Sequence, residues 1–193
     1  MWTPWIGCDY DSHRLLLLGE SCYSWDGEDG VVVHPQPNHP EVIVREALGD
    51  PTGSGRFTNM LTRSLCQKEW PSSEQAKSAW SKVAFTNYVP VAVGFGPRVR
   101  PSEESWKQAD DEWQDVLAKL QPRNVIVLGL SMWGYMPETQ EVRSKNVQGY
   151  RLRDGTAAMC WAVRHPSAGL SWSKLRDTIA EAEKASSTPV QGL

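Results

Sequence analysis

Arg14-Leu15-Leu16-Leu17-Leu18-Gly19-Glu20-Ser21-Cys22-Tyr23-Ser24-Trp25-Asp26-Gly27 is the stretch on which the reading of the fold turns. Four consecutive leucines with no polar alternation predict a strand covered on both faces, as in a parallel sheet flanked by helices. Gly19 closes the run, and Glu20, Ser21, Cys22, Tyr23 and Trp25 follow it. In open α/β sheets ligands bind beyond the carboxyl ends of the strands, so chemistry is expected among these residues. A plain strand-to-helix turn is the simpler use of the same segment.

Working outward, Val83–Val89 reads as a second strand ended by Pro90, with Thr86 and Asn87 at its carboxyl end. Asn124–Gly129 reads as a third, and Thr156–Val163 as a last one behind a hairpin around Asp154-Gly155. Asn38 as cap, Pro40 in the first turn and Glu41 reaching back predict a helix ending at Gly49. Phe57, Met60, Leu61 and Leu65 recur at helical spacing behind a turn at Asp50–Gly55. Ser72 with Gln75 forms a capping box, and Ser102 opens an amphipathic helix with Trp106, Ala109, Trp113, Val116, Leu117 and Leu120 on one face. Leu175, Thr178, Ile179 and Ala182 predict a final helix, residues 24–37 a loop, and residues 186–193 a frayed tail. Strands alternating with helices make the expected fold class α/β: a three-layer α/β/α sandwich with a small, mostly parallel central sheet. A chain of 193 residues with 40% hydrophobic residues suits a single domain over 1–193.

No apolar run approaches the roughly 20 residues needed to span a bilayer, and the start lacks the pattern of a signal peptide, so a cytoplasmic protein with no membrane partner is expected. Cys8, Cys22, Cys66 and Cys160 are widely spaced without a C-x-x-C pair, which argues against zinc and iron–sulfur clusters and for reduced, mainly buried thiols. His34 and His39 lack further ligands for a metal, so no cofactor is expected. Net charge is −3, yet residues 142–176 hold Arg143, Lys145, Arg151, Arg153, Arg164, Lys174 and Arg176 against Asp154 alone. That segment therefore carries +6 and the remainder −9, an asymmetry that can bind phosphates on an acidic protein.

Three strand ends thus bring together Gly19-Glu20-Ser21-Cys22-Tyr23, Thr86-Asn87 and His165-Pro166-Ser167. With the apolar strand ending in Leu128-Gly129, they resemble the uracil-DNA glycosylase superfamily. Its members carry a first motif of the type Gly-Glu-Ala-Pro-Gly or Gly-Gln-Asp-Pro-Tyr, then a strand ending in Asn, and finally a His-Pro-Ser loop. The resemblance runs from Leu15 to Trp172, in motif order as well as content.

The resemblance implies a DNA glycosylase with DNA as partner. Asn87 would hydrogen-bond the edge of a nucleobase flipped out of the helix, and His165 would stabilise negative charge on the base's carbonyl oxygen. An amide offers donor and acceptor side by side, and an imidazole can aim a donor at a developing anion. Glu20 would position water or stabilise the cationic sugar. Leu170 would fill the space left by the flipped base, Ser167 would bind a neighbouring phosphate, and Arg164 and Lys174 would contact the backbone. Tyr23 matches a tyrosine that bars bases bulky at ring carbon five, and Trp25 either stacks on the base or packs the loop.

Two departures matter: Ser21 replaces the Asp or Asn that often activates water, and Cys22 replaces the usual Pro. Asp26, Glu28 and Asp29 beside Trp25 would repel a polyanion but could bind hydroxyl groups, which fits a sugar-modified or otherwise enlarged pyrimidine as in some phage DNA. Uracil is the other expected substrate. A second class stays open, because Gly19-Glu20-Ser21 with Asn87 and His165 also resembles the small serine esterases, with Ser21 as nucleophile, His165 as base and Asn87 as oxyanion donor. Against it, Ala162 stands where the orienting Asp belongs and Tyr88 follows Asn87. A non-catalytic DNA-binding relative would use the basic segment but give no reason for Glu20.

Overall fold

The four leucines divide between two cores. In the computed structural model, which describes residues 1–27, 31–49, 55–96, 99–139 and 141–187, Leu16 and Leu18 pack with Trp106, Trp113 and Leu117, whereas Leu15 and Leu17 pack with Leu61, Trp80 and Leu175. Successive strand side chains point to opposite faces, so an unbroken apolar run needs cover on both sides. Burial of each such leucine contributes roughly 1.5–3 kcal/mol.

In chain order the elements are β1 (Trp5–Ile6), α1 (Tyr10–His13), β2 (Leu15–Gly19), β3 (Cys22–Asp26), β4 (Val32–Val33), α2 (His39–Gly49), α3 (Arg56–Cys66) and α4 (Ser73–Trp80). Then come β5 (Val83–Asn87), β6 (Ala92–Phe95), α5 (Glu103–Leu120), β7 (Asn124–Leu128), α6 (Leu130–Trp133), β8 (Glu141–Ser144), β9 (Val147–Arg151), β10 (Ala157–Val163) and α7 (Trp172–Ser187). The main sheet has the order β1-β5-β2-β7-β10-β9-β8. Its four central strands, β5, β2, β7 and β10, run parallel, while β1, β9 and β8 join antiparallel at the sides. Residues of α5 cover one face; residues of α2, α3, α4 and α7 cover the other. This is the expected three-layer α/β sandwich.

Local chemistry explains most boundaries. Ser72 and Gln75 form the complete capping box, and Ser102 Oγ accepts the Ser105 N–H. The Asn38 carbonyl starts α2 by accepting the N–H groups of Glu41 and Val42, but the Glu41 carboxylate turns to Arg45 at 2.6 Å instead of reaching back. An i,i+4 ion pair on an exposed face competes successfully with that reach.

The expected loop after the leucine strand holds β3 and β4, which with β6 form a separate three-stranded sheet. The hairpin around Asp154-Gly155 forms as expected, and Asp154 Oδ1 accepts from the Thr156 N–H at 2.9 Å. Helix α7 continues through Ser186 and Ser187, where a frayed tail was expected. Residues 188–193, the start of the Asp50–Gly55 turn, Glu28 and Asp29 lie outside the described residues. Cys22 and Cys160 are buried, Cys66 is half-buried and Cys8 is exposed. No helix among the described residues is long and apolar enough to cross a membrane.

Candidate active site

Parallel register brings the site together. Gly19 pairs with Asn87 at the carboxyl ends of β2 and β5, and the chain then locks the two loops by Tyr88 N–H donating to the Gly19 carbonyl at 2.8 Å and Val89 N–H to the Glu20 carbonyl at 2.9 Å. Beyond these ends lies a cavity of about 420 Å³ lined by Glu20, Ser21, Cys22, Tyr23, Phe57, Asn87 and His165 among others. Trp25 and His39 form its outer wall, their ring centroids 6.1 Å apart. Every residue assigned by sequence to catalysis or base contact therefore borders one space.

Asn87 is buried, and its Nδ2 has no hydrogen-bond partner among the described residues. An unpartnered buried donor costs about 1–3 kcal/mol, so the protein carries a standing deficit that a ligand acceptor would remove. Its other amide atom, Oδ1, lies so close to Gly19 that a Cβ there would collide with it. Gly19 is thus required for the close approach of the amide.

His165 has a defined tautomer. Its Nδ1 accepts the Ser167 N–H at 3.2 Å and contacts Ser167 Oγ at 2.7 Å. A backbone N–H can only donate, so Nδ1 is unprotonated and the ring proton of the neutral imidazole sits on Nε2. Burial, and then the positive charge of Arg100, hold His165 below the ordinary imidazole pKa. The ring stacks on Phe57 with centroids 5.7 Å apart. The result is a fixed, neutral donor. The same tautomer leaves no Nδ1 proton for an orienting carboxylate, and no hydrogen bond joins Ser21 to His165, so the esterase arrangement is not assembled.

Glu20 is only 12% exposed and is gripped by Arg100, which is 66% exposed. Arg100 Nη1 donates to the two carboxylate oxygens at 3.1 and 3.3 Å, and Nη2 reaches Ser131 Oγ at 3.4 Å. Glu20, Tyr23 and His165 also face a second depression of about 750 Å³, lined by Arg100, Leu130, Ser131, Arg164, Ser167 and Ala168. Cavity and groove therefore meet at Glu20 and His165. Desolvation raises the Cys22 thiol to about 12, which keeps it protonated and unreactive. No group of three or more His, Cys, Asp or Glu among the described residues could hold a metal ion.

Two expectations change. Leu170 is not at the surface: it is buried with Leu128, Leu175 and Ile179. Pro166–Ala168 forms a 3-10 turn, and Gly169, at φ +84°, reverses the chain so that Leu170 drops into the core. The basic segment also disperses. Of its seven cations only Arg164 lines the groove; Arg151 pairs with Glu141, Arg176 lines a cleft at the opposite ends of the strands, and Lys174 is exposed on the first turn of α7. Arg100, Phe57 and His39 joined the site unforeseen. Arg100 lies 80 residues from Glu20, and no local pattern marks such a contact. No family model matches this chain, and no curated protein matches it significantly.

Proposed function

We propose that this chain is a monofunctional DNA glycosylase that hydrolyses the N-glycosidic bond of a flipped-out pyrimidine, either uracil or an enlarged, sugar-modified one. The observation that carries the reading is the unpartnered Asn87 amide in a cavity that also holds a neutral Nε2 donor and a carboxylate. Few reactions need all of these at once. Asn87 Nδ2 finds its acceptor on the base edge. His165 Nε2–H donates to the base's carbonyl oxygen as the C1′–N bonding pair moves onto the base. Such a donor is worth most in a site shielded from water, where it acts on charge that exists only as the bond breaks. Glu20 faces the cationic sugar and the water that adds to C1′, whose proton passes to the carboxylate or to solvent. The leaving base takes up a proton from solvent.

The groove supports DNA as partner, since Arg100 and Arg164 line it. Cavity size favours the enlarged pyrimidine: at about 30 Å³ of liquid per water, 420 Å³ holds on the order of ten waters, more than a bare pyrimidine displaces. Trp25, 45% exposed at the outer wall, supplies an apolar face of the kind a sugar ring packs against. Mass spectrometry of bases released from uracil-containing DNA, ordinary DNA and sugar-modified phage DNA tests the reading. Release from the modified DNA above the other two is expected; release from none of them rejects it.

A further inference from the structure

An enzyme that takes a base out of the stack leaves a gap, and an apolar side chain inserted between base steps opposes its return. The exposed tip of the His165 loop is Ser167, Ala168 and Gly169, and its leucine is in the core. Nothing in that loop is long and apolar enough to enter a stack. The groove nevertheless holds such a residue. Leu130, the first residue of α6, is 42% exposed and lies in the groove with Arg100, Arg164 and Ser167.

Its placement is tight on both sides. A Cβ added at Gly129 before it would come within van der Waals range of the Glu20 carboxylate, and Ser131 after it accepts from Arg100. The strand leading to it, β7, is buried throughout, so the side chain is carried on a rigid support. Single exposed leucines are ordinary on protein surfaces. Leu130 differs in standing inside a concave groove beside Arg100, Arg164, a carboxylate and a histidine, with 42% of its surface left uncovered there. Val99, the other aliphatic of comparable exposure there, stands where a Cβ on Gly94 would crowd it.

We propose that Leu130 is the wedge that occupies the base stack, an inference that rests on the glycosylase reading for the base whose departure opens the gap. Arg100 and Arg164 then hold the backbone on either side, and the side chain between them enters the helix where the nucleotide has left. The energy released by packing Leu130 between bases offsets part of the cost of unstacking, which is larger for a paired base than for an unpaired one.

The test uses the whole chain and a duplex with a tetrahydrofuran abasic analogue next to 2-aminopurine, so that it reads wedge insertion without base release. Binding of the wild type should change the 2-aminopurine emission. Leu130→Ala should still bind, by anisotropy, with that change reduced several-fold, and its circular dichroism should match that of the wild type. Leu170→Ala should keep the wild-type emission change; Leu170→Met, which conserves volume, replaces it if circular dichroism shows that the alanine variant is unfolded. In single-turnover base release, Leu130→Ala should slow paired substrate by about tenfold or more and unpaired substrate by no more than about twofold, the scale set by the flipping cost. Equal emission changes in wild type and Leu130→Ala, or equal slowing on the two substrates, overturn the assignment. An intact emission response without base release from any substrate counts against the glycosylase reading alone.

Discussion

The parallel strands of the central sheet have a cavity at each end, the two of nearly equal size, and a larger groove adjoins the one at the carboxyl ends. At the carboxyl ends the cavity is about 420 Å³; at the amino ends, around Leu15 and Val83, it is about 480 Å³ and is bordered by Lys82, Glu74, Arg176 and Ser78. Volume does not distinguish them. Their chemistry does. At the amino end, charges of both signs stand on surface helices, and Arg176 is already matched with Asp177 at 2.7 Å. At the carboxyl end, strand termini hold groups with unspent capacity: a buried amide without an acceptor among the described residues, and an imidazole whose proton is fixed on the nitrogen that has no partner among them. Unspent polar capacity in a buried place marks a site better than empty space does.

The largest expected effect that would break this contrast is at His165. Its alanine variant should lose on the order of 10²-fold or more in single-turnover base release while DNA binding changes little, as loss of an oxyanion donor typically does. Rates equal to wild type would remove the carboxyl-end cleft from the chemistry. Gly19→Ala comes next. The added methyl must displace the Asn87 amide, a flexible side chain, so release should fall by about tenfold while thermal stability changes by little. If release persists and stability collapses instead, the glycine serves packing and not the amide.

Arg100→Gln sharpens the electrostatic side. Removing a cation that holds the His165 pKa down lets it rise towards the ordinary value of about 6.5. In the proposed glycosylase the neutral ring is the working form, so activity should be retained above the folded-state pKa and lost as pH falls through it. The acid limb of the rate profile should therefore move to higher pH in Arg100→Gln, and a histidine-resolved NMR titration should move the same way. An unmoved limb with an unmoved titration would remove Arg100 from control of the ring. Stability carries the same sign: a depressed pKa contributes stability that is complete above the unfolded value and lost as pH falls towards the folded one.

The smallest effect is expected in the other cleft. Lys82→Ala and Glu74→Gln, both on exposed side chains, should leave base release within about twofold, the usual range of surface changes. A tenfold loss from either would show that the two ends are coupled.

What could be read from the chain follows from the range over which each signal acts. Leu15 to Leu18 announce a doubly covered strand because two neighbouring layers must both be apolar, and Ser72 with Gln75 acts within one turn. Strand ends carrying Glu20, Asn87 and His165 were legible for the same reason, since parallel register puts equivalent ends side by side. Leu170 was misplaced because a motif gives identity without direction, and the left-handed glycine before it decides which way the leucine points. Strand β3 was hidden because Cys22–Asp26 pairs outside the main sheet and mixes buried with exposed residues. Arg100 and Leu130 become visible only when loops distant in sequence are folded onto one groove.

The site hangs from the most protected part of the molecule. Every residue of β2, β5 and β7 is buried, and Gly19, Asn87 and Gly129 are their last residues or the first one beyond. Amide protons in such strands exchange with solvent only when the whole domain opens. The geometry of the Asn87 amide is then as durable as the fold itself. Heating should therefore abolish catalysis and ellipticity at a common midpoint, with no interval in which a folded protein has lost its site.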